Sequence, residues 1–381
     1  AALGASGGNG DGDYVTLSAK NYERTWLEAL RWLSVLLERH HDAVLSQLQE
    51  LLPLLLNATA DGCETVVMQA LEVQASLAKS DKEFQRLIAA LLDRFRGKRG
   101  RRLLQERGSV VIRRLCALLG AEQVYLTVSA LLKYEMDLPF ASMMVQALNL
   151  ILLTAPELAS PRKLLKQMMY RDPNDEAVAG DGTSGIFLFR HLYHSWCHSS
   201  GAVVSLCLLS GAHHHACNLL SSLADLIPEG LNGDALLEMD RLVTLIESPI
   251  FSQLRFNLLE PQRFPALCKA MYAILALLPQ SKAFDTLFRR MQSMPSNELI
   301  QLNSAIVMGQ PQSSKIPNLL GINKINTSAS ASAASAKSAN KGILDKSSSS
   351  RAMEGAIQSL DWQELTNAFR ECQTKHMQRI Q

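Results

Sequence analysis

An all-α fold, built as a HEAT- or armadillo-like helical-repeat solenoid, is predicted by three features of the chain. Apolar residues recur at helical spacing through most of its length, no alternating strand pattern of convincing length appears, and pairs of helical segments begin near Asn21 and again near Asp61. The last feature gives a period of about 40 residues, the size of a HEAT or armadillo unit, in which each helical pair buries its apolar face by stacking on its neighbours.

Taken in order, residues 1–20 are rich in Gly and Asp and read as a flexible lead-in. The first helical segment then sets Trp26, Leu27, Leu30, Leu33, Leu36 and Leu37 on one stripe, with Glu28, Arg31 and Glu38 off it. The second repeats the pattern through Val44, Leu45, Leu48, Leu51 and Leu52. Two more of similar length follow, one with Val66, Val67, Ala70, Leu71 and Ala75, the other with Phe84, Leu87, Ile88 and Leu91. Beyond Arg101 the period becomes ragged while the helical recurrence continues, so 21–170 reads as one run of HEAT-like repeats.

A turn-rich stretch at 171–185, RDPNDEAVAGDGTSG, is the only internal boundary the sequence suggests. The second helical block spans 186–303, with Pro228, Pro249, Pro261, Pro265, Pro279 and Pro295 near the expected helix ends. Residues 304–354 are Ser/Ala-rich low complexity and are expected to be disordered. The final segment, 355–381, regains an amphipathic stripe through Leu360, Leu365 and Phe369 and reads as a tethered helix that docks back or onto a partner.

Composition supports folding: 47% of the 381 residues are hydrophobic and 19% charged. A net charge of +2 supplies no global field to draw nucleic acid or an anionic membrane. Seven cysteines, an odd number with no C-x-x-C pair, fit a reducing cytosolic or nuclear setting. The apolar runs fall well short of the ~20 residues that cross a bilayer. The opening Ala-Ala-Leu-Gly has no signal-peptide character, and suggests an internal or C-terminal piece of a longer protein.

Candidate chemistry concentrates in HLYHSWCHSSG. His191, His194, Cys197 and His198 recur at steps of three or four, as metal ligands on a helix do, but a helix mixing packed aromatics with surface histidines is the preferred reading. Cys197 as a phosphatase nucleophile fails because Val203 stands where the phosphate-binding Arg is needed. The triplet His213-His214-His215 lacks spaced partners and reads as a solvated turn. No phosphate-loop, dinucleotide-binding, G-x-S-x-G or H-E-x-x-H motif is present, so no catalytic, cofactor-binding or metal site is assigned. The one dense basic run, Arg94 to Arg102, offers Arg99, Arg101 and Arg102 for acidic lipid, against the alternative of an exposed connection between helices.

Particular wording carries more than periodicity does. The core Tyr193-x-Ser195-Trp196-Cys197-His198, with Ser205-Leu206-Cys207 after it and Leu277-Leu278-Pro279-Gln280-Ser281 further on, lies within a stretch from about Phe95 to Pro295. That stretch resembles the C-terminal half of the ArPIKfyve family, the vacuolar-morphology scaffolds of the phosphatidylinositol 3-phosphate 5-kinase complex. The sequence departs from the family pattern at Ser199-Ser200, where an Asn-Pro pair is usual.

The resemblance implies a non-enzymatic HEAT-type scaffold without cofactor. Its region 186–303 is implied to form a homo-oligomer and bind a Sac-family phosphoinositide phosphatase, while the assembly engages a FYVE-type phosphatidylinositol 3-phosphate 5-kinase. Its place is implied to be peripheral, on the cytoplasmic face of endosome and vacuole or lysosome membranes, with phosphatidylinositol 3,5-bisphosphate as the regulated lipid and no nucleic acid expected. The competing class is a HEAT-like adaptor that takes cargo or nucleic acid through the basic run 94–102. Because Trp, Tyr and Arg dominate interface hot spots, Arg190, Tyr193, Trp196, Trp362 and Phe369 are the candidate partner contacts, with core packing as the alternative for each.

Overall fold

The computed structural model describes residues 10–59, 63–168, 182–226, 233–294 and 360–379. The fold is all-α, a succession of packed helical pairs with no strand among the described residues. The chain divides into two compact units, Ala1–Leu131 and Leu132–Gln381.

The first unit opens with α1 (Gly10–Arg39), so the helix starts inside the stretch read as a flexible lead-in. It continues through α2 (His41–Ser46), α3 (Leu48–Ala58), α4 (Glu64–Leu77), α5 (Asp81–Phe95), α6 (Gly97–Leu103), α7 (Ser109–Leu119) and α8 (Ala121–Leu132), which reaches the unit's edge. The amphipathic stripes close as expected: α4 packs against α1, α3 and α7, and buries Val66, Ala70, Val73 and Leu77 with Leu30, Leu37 and Leu55. Leu36 departs from its predicted stripe and faces solvent, because α1 meets its neighbour along Leu30, Leu33 and Leu37. Buried Gln74 donates from Nε2 to the Leu55 carbonyl at 2.9 Å, tying α4 to the end of α3. A reciprocal capping box between Ser80 and Glu83 starts α5. Gly97, at φ 68°, turns the chain into α6, so the basic run is mostly helix rather than loop.

The second unit holds α9 (Leu138–Thr154), α10 (Ala159–Gln167), α11 (Gly182–Trp196), α12 (Ser200–Ser210), α13 (His213–Leu226), α14 (Gly233–Ile246), α15 (Ser252–Asn257), α16 (Pro265–Leu277), α17 (Lys282–Gln292) and α18 (Trp362–Gln378). Every residue of α12 is buried, and the helix is enclosed by α9, α10, α11, α13 and α14. A helix apolar all round can only be interior, so α12 is the axis of this unit.

One capping device occurs twice. After α9 the chain makes a single 3₁₀ turn, Pro156–Leu158, and Arg162 then reaches back to donate to the carbonyls of Leu152 and Ala155. After α14 comes Pro249–Phe251, and Arg255 donates to Ile246 and Ser248. In both places a guanidinium satisfies the carbonyls a helix end leaves open.

The turn-rich segment 171–185 leads from α10 into α11, both of which belong to the second unit. Residues 169–181 lie outside the described residues, but the helices on either side, α10 and α11, pack directly on each other. Their approach is so close that a Cβ on Gly185 would stand 2.4 Å from the Leu164 carbonyl oxygen. Gly185→Ala is therefore expected to force the two backbones apart and lower stability by about 1–3 kcal/mol, read as a fall in the urea midpoint. An unchanged midpoint would show that the helices do not need this contact. The segments 304–354 and 295–303 lie outside the described residues, as does the start of 355–381, whose described helix begins at Trp362.

Candidate functional site

The distinctive wording around Tyr193 folds into the place where α11, α12, α13 and α18 meet. Helical spacing sends Phe189, Tyr193 and Trp196 from α11 into the interior, all fully buried. The Tyr193 hydroxyl donates to the Leu365 carbonyl of α18 at 3.0 Å and lies 2.9 Å from His215 Nε2. The hydroxyl has one proton, so His215 must be the donor to it, and its Nε2 carries the hydrogen. Burial, together with the neighbouring Cys197 and Cys207, pushes the Tyr193 phenol far above its usual range.

Trp196 donates from Nε1 to Asn149 Oδ1 at 3.2 Å, and the Ser205 hydroxyl stands 2.9 Å from the same oxygen. A buried amide thus joins α9, α11 and α12. At the head of α12, Glu238 of α14 accepts from the Ser199 hydroxyl at 2.9 Å, the Ser200 hydroxyl at 3.2 Å and the Gly201 amide at 3.0 Å. A carboxylate held on the first turn of a helix satisfies open amides and complements the helix dipole. The two serines that depart from the family pattern are therefore both used. Desolvation raises the Glu238 pKa, with these hydrogen bonds opposing it.

The last helix is docked on this hub. Leu365 and Phe369 are buried, Gln373 donates to the Cys197 carbonyl at 2.7 Å and Arg370 to the Ser222 hydroxyl at 3.0 Å. Trp362 is half-buried, with its ring 4.9 Å from that of His215 and 6.2 Å from that of Phe189.

The five sequence-predicted contact residues thus separate. Tyr193, Trp196 and Phe369 are interior side chains, which corrects the reading of them as exposed anchors in favour of core packing. Arg190 faces solvent on the outer side of α11, and Trp362 lies at the edge of the hub. Arg99, Arg101 and Arg102 are exposed on α6, with Arg102 paired to Glu106 at 2.6 Å.

The histidines are placed differently from the sequence reading. His191 is exposed, with Nδ1 2.9 Å from the Phe187 carbonyl, while Cys197 is buried, so the pair does not converge. Burial pushes the Cys197 thiol well above its normal pKa, the reverse of what a nucleophile needs. His213 and His215 are buried on the first turn of α13 and only His214 is exposed, so the triplet is not a solvated turn. The group that sequence inspection missed is His198 with Cys372 and His376, whose ligand atoms lie within 4.8 Å of one another. The C-x-x-x-H spacing on the last helix was its only sequence signal.

Among the described residues no single helix is long and apolar enough to cross a membrane, and none of the seven cysteines is in a disulfide.

The region from 101 to 294, which includes α9 to α17, matches the family model described as "Vacuolar protein 14 C-terminal Fig4p binding". The chain is 43% identical over 279 residues to an Arabidopsis thaliana protein named Protein VAC14 homolog, covering 73% of this chain and 35% of the relative. It is 40% identical over 294 residues to the Schizosaccharomyces pombe Protein VAC14 homolog, covering 76% of this chain and 34% of that protein. Against the Saccharomyces cerevisiae Vacuole morphology and inheritance protein 14 the identity is 30% over 270 residues, covering 70% and 28%. The chain thus spans about a third of the length of the curated relatives it matches. No solved structure matches it. With half of its length inside the family's C-terminal region and the hub of that region built from the family's own wording, the chain belongs to the Vac14 family.

Proposed function

We propose that this chain is a non-catalytic scaffold whose 186–303 region docks a Sac-family phosphoinositide phosphatase and self-associates. Through the assembled scaffold it holds a FYVE-type phosphatidylinositol 3-phosphate 5-kinase, so that synthesis and turnover of phosphatidylinositol 3,5-bisphosphate are governed together on endosome and vacuole membranes. The observation that carries this reading is the match of 101–294 to a region described by its binding of Fig4p. Physical support comes from the hub: its buried thiols and phenol are held protonated, while the packed helices leave a broad outer surface. Arg190 and the edge of Trp362 are the proposed contacts, with Phe187 exposed on the same helix as Arg190. Arg99, Arg101 and Arg102 are proposed to assist at the acidic membrane surface.

The test is co-expression of the chain with a Sac-family phosphatase, followed by size-exclusion chromatography with light scattering. A stable complex is expected, together with an oligomeric mass for the chain alone. Arg190→Glu is expected to weaken the complex about tenfold or more while leaving the melting temperature unchanged. A folded, oligomeric chain that fails to retain the phosphatase would sink the proposal.

A further inference from the structure

We infer that His198, Cys372 and His376 form a zinc site that staples the last helix, α18, to the junction of α11 and α12. Nothing in the scaffold reading assigns this site, and the inference stands independently of that reading.

The argument begins with spacing. Cys372 and His376 are four residues apart on α18, so both side chains leave the same face of the helix, one turn apart. His198 comes from the turn between α11 and α12, and its Nδ1 lies 3.0 Å from His376 Nε2 and 3.5 Å from Cys372 Sγ. Tetrahedral zinc, with bonds of about 2.3 Å to sulfur and about 2.0–2.1 Å to nitrogen, requires N···N near 3.3 Å and N···S near 3.6 Å. The two separations from His198 differ from these by a few tenths of an ångström, and Cys372 Sγ and the His376 ring nitrogen lie within 4.8 Å of each other, so side-chain adjustment can seat the ion. The fourth position is left to water.

Hydrogen bonding points the same way. The His198 ring also bonds the backbone of Leu132. With Nδ1 directed at the cluster, Nε2 is the nitrogen that donates to this carbonyl, which leaves Nδ1 as a lone pair. Ligating histidines are commonly fixed in this manner, with one nitrogen held by a carbonyl and the other bare for the metal. A simple histidine pair accounts for one 3.0 Å contact, but it gives no role to a thiol aligned on the same lone pair.

Electrostatics set the condition for binding. Zinc binding displaces the thiol proton to solvent, and the thiolate formed offsets one of the ion's two charges. Of the charged groups around the site, Glu371 and Lys375 are paired with each other at 2.7 Å, and Arg379 lies near His376. Net repulsion from the flanking cations is therefore limited to Arg379 once that pair is counted. Thiolate plus two imidazoles favours zinc over the hard ions magnesium and calcium.

The consequence is mechanical. α18 is held on the hub by its hydrogen bonds to Tyr193, Cys197 and Ser222 and by buried Leu365 and Phe369. Its position thus depends on its contacts, and a metal bond would convert a docked helix into a fixed one.

The full chain should be purified from zinc-supplemented medium without chelators or metal-affinity resin, and its zinc content measured by mass spectrometry. One zinc per chain is expected. Cys372→Ser and His376→Gln should each weaken zinc binding by more than the roughly 10- to 100-fold that loss of an outer-shell partner causes. Cobalt added to the stripped chain should give a sulfur-to-cobalt charge-transfer band that Cys372→Ser abolishes. Hydrogen exchange in 362–378 should slow on adding zinc to the stripped native chain and not in either variant. The inference is overturned if the stripped chain, folded by circular dichroism, takes up neither zinc nor cobalt. Zinc retained undiminished by both variants would overturn it as well.

Discussion

Trp196→Ala is expected to unfold the second unit rather than to disable a binding surface. The side chain is fully buried, and truncating a buried Trp costs about 3–5 kcal/mol through lost transfer free energy and the cavity left behind. A further part of the cost comes from Asn149, which loses the indole N–H and keeps only Ser205 on its carbonyl oxygen. Such a loss is a large share of the 5–15 kcal/mol that holds a typical domain together. Urea denaturation followed by circular dichroism should therefore show a strongly lowered midpoint, with the proposed phosphatase binding lost alongside it. Arg190→Ala, on the exposed side of the same helix, should leave the midpoint unchanged to within about 0.5 kcal/mol. If Trp196→Ala instead keeps full stability and loses only binding, the indole is a contact residue and the packing described for α11 is incorrect.

Stability is expected to fall sharply as the pH drops from about 6.5 towards 4. His213 and His215 are both buried at the start of α13, and burial lowers each to about 4 from the ordinary 6.5, with His214 adding to the effect on His213. Between those values the unfolded chain takes up protons that the folded chain refuses, so stability rises with pH across the window and is lost on acidification. Each group contributes up to about 3 kcal/mol, the free energy of a shift of this size. The cause is visible in the contacts: His215 donates to the Tyr193 hydroxyl from Nε2, while its Nδ1 is buried with no partner, so a second proton would be an unsatisfied buried charge. Urea midpoints at pH 7.5, 6 and 5 should decline steadily. In a His213→Gln, His215→Gln double variant the dependence should be shallower by about two protons. An unaltered slope in that variant would assign the acid sensitivity to other groups.

The helical pairs of the first unit were legible because their only strong signal is local. Val66, Val67, Ala70, Leu71, Phe84, Leu87 and Ile88 fall on faces that a 3.6-residue period reveals, and they are buried, while Ala75 of the same stripe is only half-buried. The Ser80 and Glu83 capping box likewise lies within four residues of chain. The packing of helices across 171–185 was not legible for the opposite reason. Turn-forming residues report where a helix stops, not whether the next one returns to pack on it, and α11 returns to α10 through Gly185. The histidine triplet was misread because three adjacent polar rings look solvated, whereas the helix they begin turns two of them inward.

By itself, the sequence determined the all-α class, the family and the absence of a familiar catalytic motif, because periodicity and wording are properties of neighbouring residues. Tertiary structure alone decided that Tyr193, Trp196 and Phe369 are interior, that Glu238 holds the head of α12 and that His198 meets Cys372 and His376. These are contacts between residues far apart in the chain. Side-chain chemistry there depends on burial and on what stands opposite, and neither is encoded in the local pattern.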